Sequence, residues 1–580
     1  IRDRRRMEEL EYLFKHALAQ EAAYESILVE KRKEIHLQVA DSIEKVFKER
    51  LHEFYGMLAY HYSKGEEFTK AEEYMIKAGE EAMRSSASRE ALNYYEEALS
   101  LYQSLYGDKA DPEKIAILEK NIAVALYNKG DEDALIYFDS VLSRWGIKSP
   151  QNKHLVMIKL VFDLLTVIPK LYIPSKKIKR APNHRDNEIF DLSFKKAKLL
   201  SIINPKRQFT EVIGLIRESL RFDLNKIEHG YTLLLTGSAF FSYSGLSFRI
   251  SNRFLAYAEN GIDKKDLKEL LFLNVCKSIH SCSSGNWDYF QDYDEFLLDQ
   301  NLKLGNLWEV ICYYIFHSIV KLEQGDFEAA FPSIEKLSDI ADSYEYEPAR
   351  AHNLARKTQY LLQCRKLYEA HQSAEEYISV ANKIDSDPLR LASLGYKAQI
   401  QNLLKDLKGT EESLEQLEEH YRKQAIVPPV CAAPYLVARF SIDIERLERS
   451  LRSSNGSNLA EFRQHAYKSC KNIIKISKKY APLRPSVYRL AGTFHWLINK
   501  QNRAVKYWQK GIAENERLGA RPDLARTYME IGRRFLEDKS KYKELNGIPV
   551  EEYLQKAKEM FLTMDLQWDL DALEKIERES

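Results

Sequence analysis

Glycine and proline are scarce, at 22 and 16 of 580 residues, too few for the turns and breaks that a strand-rich chain of this length would need. An all-α chain is expected. An excess of either charge is missing as well: 87 Lys and Arg face 86 Asp and Glu, a net charge of +1, and the signs are interspersed, so no basic face stands ready to neutralise nucleic-acid phosphates. No nucleic-acid partner is expected. The six cysteines (Cys276, Cys282, Cys312, Cys364, Cys431, Cys470) form no CxxC pair, which fits reduced thiols in a cytoplasmic protein better than a disulfide framework. Cys276, His280 and Cys282 come nearest to a metal motif. Cys282 would leave the helical face that the other two share and no fourth ligand is near, so they read as packing and no metal is expected.

Long apolar runs are also lacking. No such run follows the arginines of "IRDRRRMEEL", so no secretory signal is expected there. Residues 155–173, "LVMIKLVFDLLTVIPKLYI", carry Lys159, Asp163 and Lys170, each costing about 2.5–3.5 kcal/mol near the centre of a bilayer-spanning helix. Residues 231–248, "YTLLLTGSAFFSYSGLSF", are uncharged but broken by small and hydroxyl residues and read as a buried helix and turn. The phosphate loop G-x-x-x-x-G-K-[ST] is absent, as are recognisable cyclase metal-binding carboxylates, so this chain is expected to hold no catalytic machinery and no cofactor of its own.

What the chain does have is a recurring phrase. Tyr488, Ala491, Gly492 and His495 are followed by Ala504, Trp508 and Gly511, spacings similar to the tetratricopeptide pattern of a large residue, a small pair and an aromatic on one helix and an A-x3-F step on the next. Small residues let two antiparallel helices approach, and Tyr488 and Trp508 fill the space to the next pair. The phrase returns at Tyr55, Ala59, Ala71 and Ala78, and again at Tyr528, Gly532, Ala557 and Phe561. Second-helix halves stand at Ala91 and Ala98, at Ala134 and Phe138, at Ala330 after "EQGDFEAA", and at Ala370. The expected fold is a right-handed α-solenoid of tetratricopeptide-like hairpins, with Phe68–Arg84 serving both neighbours.

Expected segments are 1–50, an N-terminal helical region; 51–145, repeats; 146–225, irregular helix with the basic loop "IPSKKIKRAPNHRDN"; 226–447, degenerate repeats; and 448–580, C-terminal repeats. Lys176, Lys177, Lys179 and Arg180 read first as a solvated loop and second as a surface for acidic lipid or a partner, that is, a peripheral membrane contact. The two-carboxylate peptide clamp of chaperone adaptors needs Lys and Asn one and five residues after the large residue. Gly56 and Tyr60, Arg489 and Thr493, Met529 and Arg533 stand there instead.

Residues 11–28, "EYLFKHALAQEAAYESIL", read as a helix with a broad apolar side. This stretch, "YHYSKGEEFTKAEEYMIKAGEEA" and the final "MDLQWDLDALEKI" resemble the C-terminal region of bacterial signalling proteins in which a class III adenylate or guanylate cyclase domain precedes a STAND-type ATPase and tetratricopeptide repeats. The run Phe14–Tyr24 looks like the winged-helix end of that ATPase. The resemblance implies that ATPase and cyclase domains precede this chain in cis, that ATP or ADP binds there, and that His16 matches a histidine sensing the nucleotide phosphate; a surface histidine without ligand is the plainer reading. It further implies a regulatory scaffold that binds a protein or peptide and biases the upstream switch. A kinase-linked or transcription-activating relative, or a free-standing adaptor, are the alternatives.

Overall fold

The computed structural model describes residues 2–6, 9–13, 17–85, 87–147, 152–173, 180–227, 229–291, 294–423, 427–452 and 458–579. The chain is all-α apart from two small hairpins, and it divides into two compact units, Ile1–Lys159 with Pro182–Glu211, and Leu160–Ala181 with Val212–Ser580.

The start departs from the expected helix. Strands β1 (Arg2–Arg6) and β2 (Glu9–Leu13) pair antiparallel, with Arg4 opposite Glu11 and Arg6 opposite Glu9, and α1 (Ala17–Glu25) begins only after them. A register that sets residues of opposite sign across the ladder favours the hairpin. The helices α2 (Val29–Val46), α3 (Tyr55–Lys64), α4 (Phe68–Arg84), α5 (Ser88–Tyr106), α6 (Pro112–Lys129) and α7 (Ala134–Arg144) follow, then α8 (Lys153–Tyr172), α9 (His184–Ile203) and α10 (Pro205–Ser219). On α2 the buried face is His36, Ala40 and Ile43, while Ile35 and Phe47 remain exposed. The ends of α6 follow from its sequence. Asp111 accepts a hydrogen bond from the Glu113 amide at 3.0 Å, Pro112 opens the first turn, and Gly130 closes the helix at φ 74°, a cap, a pre-set dihedral and a left-handed stop.

In the first unit α4 packs on both α3 and α5. Gly79 makes the second contact possible, because a Cβ there would stand 2.5 Å from the Tyr95 ring. On α8, Asp163 is buried and its carboxylate pairs with Arg217 at 2.7 Å, so the charge that opposes a membrane reading has a partner inside the protein. No helix among the described residues is long and apolar enough to cross a membrane.

The second unit is a run of helical hairpins: α11 (Gly230–Tyr243), α12 (Phe248–Glu259), α13 (Leu267–Ser284), α14 (Glu295–Lys303), α15 (Leu307–Gln324), α16 (Phe327–Ser343), α17 (Glu347–Gln363), α18 (Leu367–Lys383), α19 (Asp387–Leu403) and α20 (Leu407–Lys423). After these come α21 (Pro429–Arg452), α22 (Leu459–Ser477), α23 (Arg484–Leu497), α24 (Gln501–Leu518), α25 (Arg521–Phe535), a two-residue hairpin β3 (Glu544–Leu545) and β4 (Ile548–Pro549), α26 (Val550–Thr563) and α27 (Gln567–Glu579). Turns after successive helices reach left-handed φ at Gly285, Gly305, Gly325, Glu345, Arg365, Asp385 and Lys405, each 20 residues beyond the last. A helix with its turn therefore occupies 20 residues here and a hairpin 40, longer than the 34 of a tetratricopeptide unit.

The first helices of these hairpins form the inner layer. Contacts run from α15 to α17, α19, α21, α23 and α25, and α25 touches α15 again, so the inner layer closes into a ring of six. Arginines stitch the seam to helix C-termini. Arg484 and Arg517 donate to the carbonyls of Ser284 and Gly285 at 3.2 and 2.9 Å, Arg521 to those of Gln324 and Gly325 at 3.0 and 2.9 Å, and Arg526 to that of Gln363 at 2.6 Å. The carbonyls ending α13, α15 and α17 are orphaned and carry the negative end of the helix dipole, which favours a cation.

Candidate functional site

The ring encloses a cavity of about 420 Å³ walled by all six inner helices. Its polar wall is built from stripes of residues three and four apart: Arg356, Gln359 and Gln363 on α17, Arg489 and Thr493 on α23, and Arg526, Glu530 and Arg533 on α25. That spacing keeps each stripe on one helix face. Leu403, Val430, Pro434, Val437 and Leu490 supply the apolar part.

Most of the wall's charges are paired. Arg489 meets Asp523 at 2.9 Å, Arg526 meets Asp569 at 2.8 Å, and Arg533 meets Glu530 at 2.9 Å. Behind them Arg534, 2% exposed, donates to Glu448, Glu530 and Glu537. Burial alone would raise the Glu530 carboxyl, but Arg533 and Arg534 hold it down at about 2. Glu323 behaves oppositely. It faces the cavity but is enclosed by protein, and burial, then the charge of Asp523, pushes its carboxyl up to about 8, so it keeps its proton at neutral pH.

Two guanidiniums differ from the rest. Arg356, 7% exposed, donates to Gln359 Oε1 and leaves its Nε without a hydrogen-bond partner. Gln359 in turn donates to Glu323 at 2.7 Å. Arg365 donates to the Leu362 carbonyl at 3.2 Å, lies 5.5 Å over the Trp568 ring, and has an unpartnered Nε. Burial, and then Arg526, lower its pKa to about 9.

The residues expected to pack the repeats are all buried except Tyr55 and Tyr488, which are half-buried. None lines this cavity. A Cβ on Gly492 would meet Trp508 Nε1 at 2.2 Å and one on Gly532 would meet Leu554 at 2.4 Å. His16 and Lys176, Lys177 and Lys179 lie outside the described residues. Cys276 donates to the Leu235 carbonyl and His280 bonds Ser242 and Ser251; no group able to hold a metal is found among the described residues. Of the clamp positions, Arg489, Thr493 and Arg533 face the cavity. Nothing in the repeat pattern marks Arg356, Arg365 and Glu323, although Arg356, Gln359 and Gln363 fall on one face of α17.

No protein-family model matches the chain, and no curated protein matches it. Among solved structures it is similar to a chain of the crystal structure of the APC/C hetero-tetramer Cut9-Hcn1, with 13% identity and a TM-score of 0.37 over 94% of this chain and 98% of that one. It is also similar to a circular tandem repeat protein with novel repeat topology and enhanced subunit contact surfaces, with 13% identity and a TM-score of 0.16 over 97% and 99%. Likenesses of this size carry no argument about function.

Proposed function

We propose that the chain is a recognition scaffold whose tandem hairpins bind a protein or peptide partner. What supports the reading is the division of labour on each hairpin of the second unit. Alanines and aromatics join its two helices, while the inner helices keep polar side chains such as Gln399, Asn402, Ser441 and Thr493 on the cavity wall, Gln399 and Thr493 also bonding the Pro434 carbonyl and Glu530 of the next inner helix. Stacked repeats commonly present such extended inner faces to partners. Selection of peptides against the full chain tests it. Binders should compete with one another, and Gln399→Ala with Ser441→Ala should weaken them at least tenfold. A chain that selects no peptide contradicts the reading.

The finer reading is that occupancy biases an upstream ATPase and cyclase in cis, with ATP or ADP bound there and His16 near its phosphate. It is supported by the resemblance of Phe14–Tyr24 alone. Its test is the coding frame before Ile1 and the cyclic-nucleotide turnover of the longer product with and without residues 51–580. Turnover that deletion leaves unchanged sinks it.

A further inference from the structure

The cavity wall offers seven or more charged groups, and nearly all have a counter-charge in reach. Arg356 and Arg365 form no ion pair among the described residues, although Asp523 and Asp569 act on Arg365 from farther away. Neither guanidinium has a carboxylate within 4 Å among the described residues, whereas Arg489, Arg526 and Arg533 each have one at 2.9 Å or closer. Arg356 is more than nine-tenths buried, and both residues line the cavity, each with a buried Nε that finds no partner. A guanidinium keeps its charge in almost any setting, so enclosing two of them without anions is costly. The nearest candidate to offset Arg356 is Glu323, which Gln359 links to it. With its carboxyl raised to about 8, that residue is neutral at pH 7 and can donate a hydrogen bond. Tyr396, which packs beside Arg356, supplies a second hydroxyl-bearing wall.

We propose that this cavity is an oxyanion site, in which Arg356 and Arg365 take the carboxylate or phosphate of a small molecule and the apolar wall around Val430 and Leu490 takes its body. A planar fork of N–H donors matches either group in two-point contact. A volume of about 420 Å³ lies in the range of roughly 300–1,000 Å³ usual for small-molecule pockets. The anion would bridge α17 and its turn to the seam helix α25, whose Arg526 and Asp523 stand near Arg365. The inference goes beyond partner binding and fails separately from it: a chain that selects peptides but takes no oxyanion sinks the present proposal alone.

The experiment is thermal unfolding of the full chain titrated with inorganic phosphate and, separately, with citrate at constant ionic strength. A saturable rise in Tm is expected with at least one probe, phosphate alone marking a phosphate ligand and citrate alone a carboxylate one. Arg356→Met and Arg365→Met should each weaken the apparent affinity at least tenfold, and Arg422→Met, on the exposed side of α20, should not change it. Without added anion the two cavity variants should melt at or above the parent's Tm, because each removes a guanidinium that has no carboxylate within 4 Å. A purely structural arginine would lower it. If Arg356→Met does not fold, Arg365→Met carries the test. No saturable shift with either probe, an unchanged affinity in the variants, or a lowered anion-free Tm in Arg365→Met overturns the proposal.

Discussion

Two kinds of joint hold the second unit together. Within the C-terminal hairpins the joint is apolar: Trp496, Trp508 and Phe535 are buried with ring centroids 5.6–6.1 Å apart, and Gly492 leaves room for the indole of Trp508. At the seam between α25 and the helices α15 and α17 the joint is polar, made by guanidiniums on backbone carbonyls, with the Arg526 guanidinium held in turn by Asp569 of α27. Apolar burial is non-directional and resists loss of any one contact by collapse, whereas a buried polar joint depends on every member having its partner. Hairpins should therefore be robust units, and the seam a place where the ring can open.

Breaking the hairpin joint should cost most. Trp508→Ala removes a fully buried side chain and should destabilise the protein toward the upper end of about 3–5 kcal/mol, read as a fall in the denaturant midpoint. At the seam, Asp569→Asn leaves Arg526 buried without its carboxylate and should cost near the lower end of about 3–5 kcal/mol. Its distinguishing mark is local: amide exchange should rise in α27 and around Gln363 more than in α23 and α24. Equal exchange in both places would erase the contrast. Arg521→Ala, which loses two hydrogen bonds on an exposed side chain, should cost about 1 kcal/mol and raise exchange only around Gly325.

The pH dependence sharpens the picture of the cavity. Glu323 faces Gln359 and Arg356 from α17, Asp523 and Arg526 from α25, and Tyr396 from α19. With a folded value near 8 against an ordinary 4.5, the folded state holds a proton that the unfolded chain has released, so stability falls as pH rises between those values. Buried His317 and His495 and half-buried His352, depressed from 6.5 to about 4, 4 and 3, act in the other direction below 6.5. Between pH 6.5 and 8 the Glu323 effect should stand alone. Unfolding followed across that range should show stability declining in the parent and nearly flat in Glu323→Gln.

How far the sequence leads follows the same division. The hairpins are legible because alanine, glycine and aromatic residues recur at helical spacing, and Phe68–Arg84 emerges from spacing alone as a helix shared by two neighbours. The first residues are not, since a stretch with apolar residues at several spacings suits a helix or a strand, and the pairing of Arg2–Arg6 with Glu9–Leu13 decides it. The ring is the larger loss. Its closing contacts join residues 163 to 232 positions apart through arginine and backbone carbonyl, and every helix end offers such a carbonyl, so nothing in the chain marks the partner. The cavity was half legible for that reason: Arg489, Thr493 and Arg533 fall at inner-face positions of the repeat, but only closure brings Arg356, Arg365 and Glu323 opposite them.

Closure of the ring is open to a spin-label distance measured across the seam. With nitroxides at Glu328→Cys on α16 and Glu516→Cys on α24, both exposed, one short, narrow distance distribution is expected in the parent and a longer second population in Asp569→Asn. A broad, long distribution in the parent itself would mean that the hairpins form an open array, and would contradict the ring and the cavity within it.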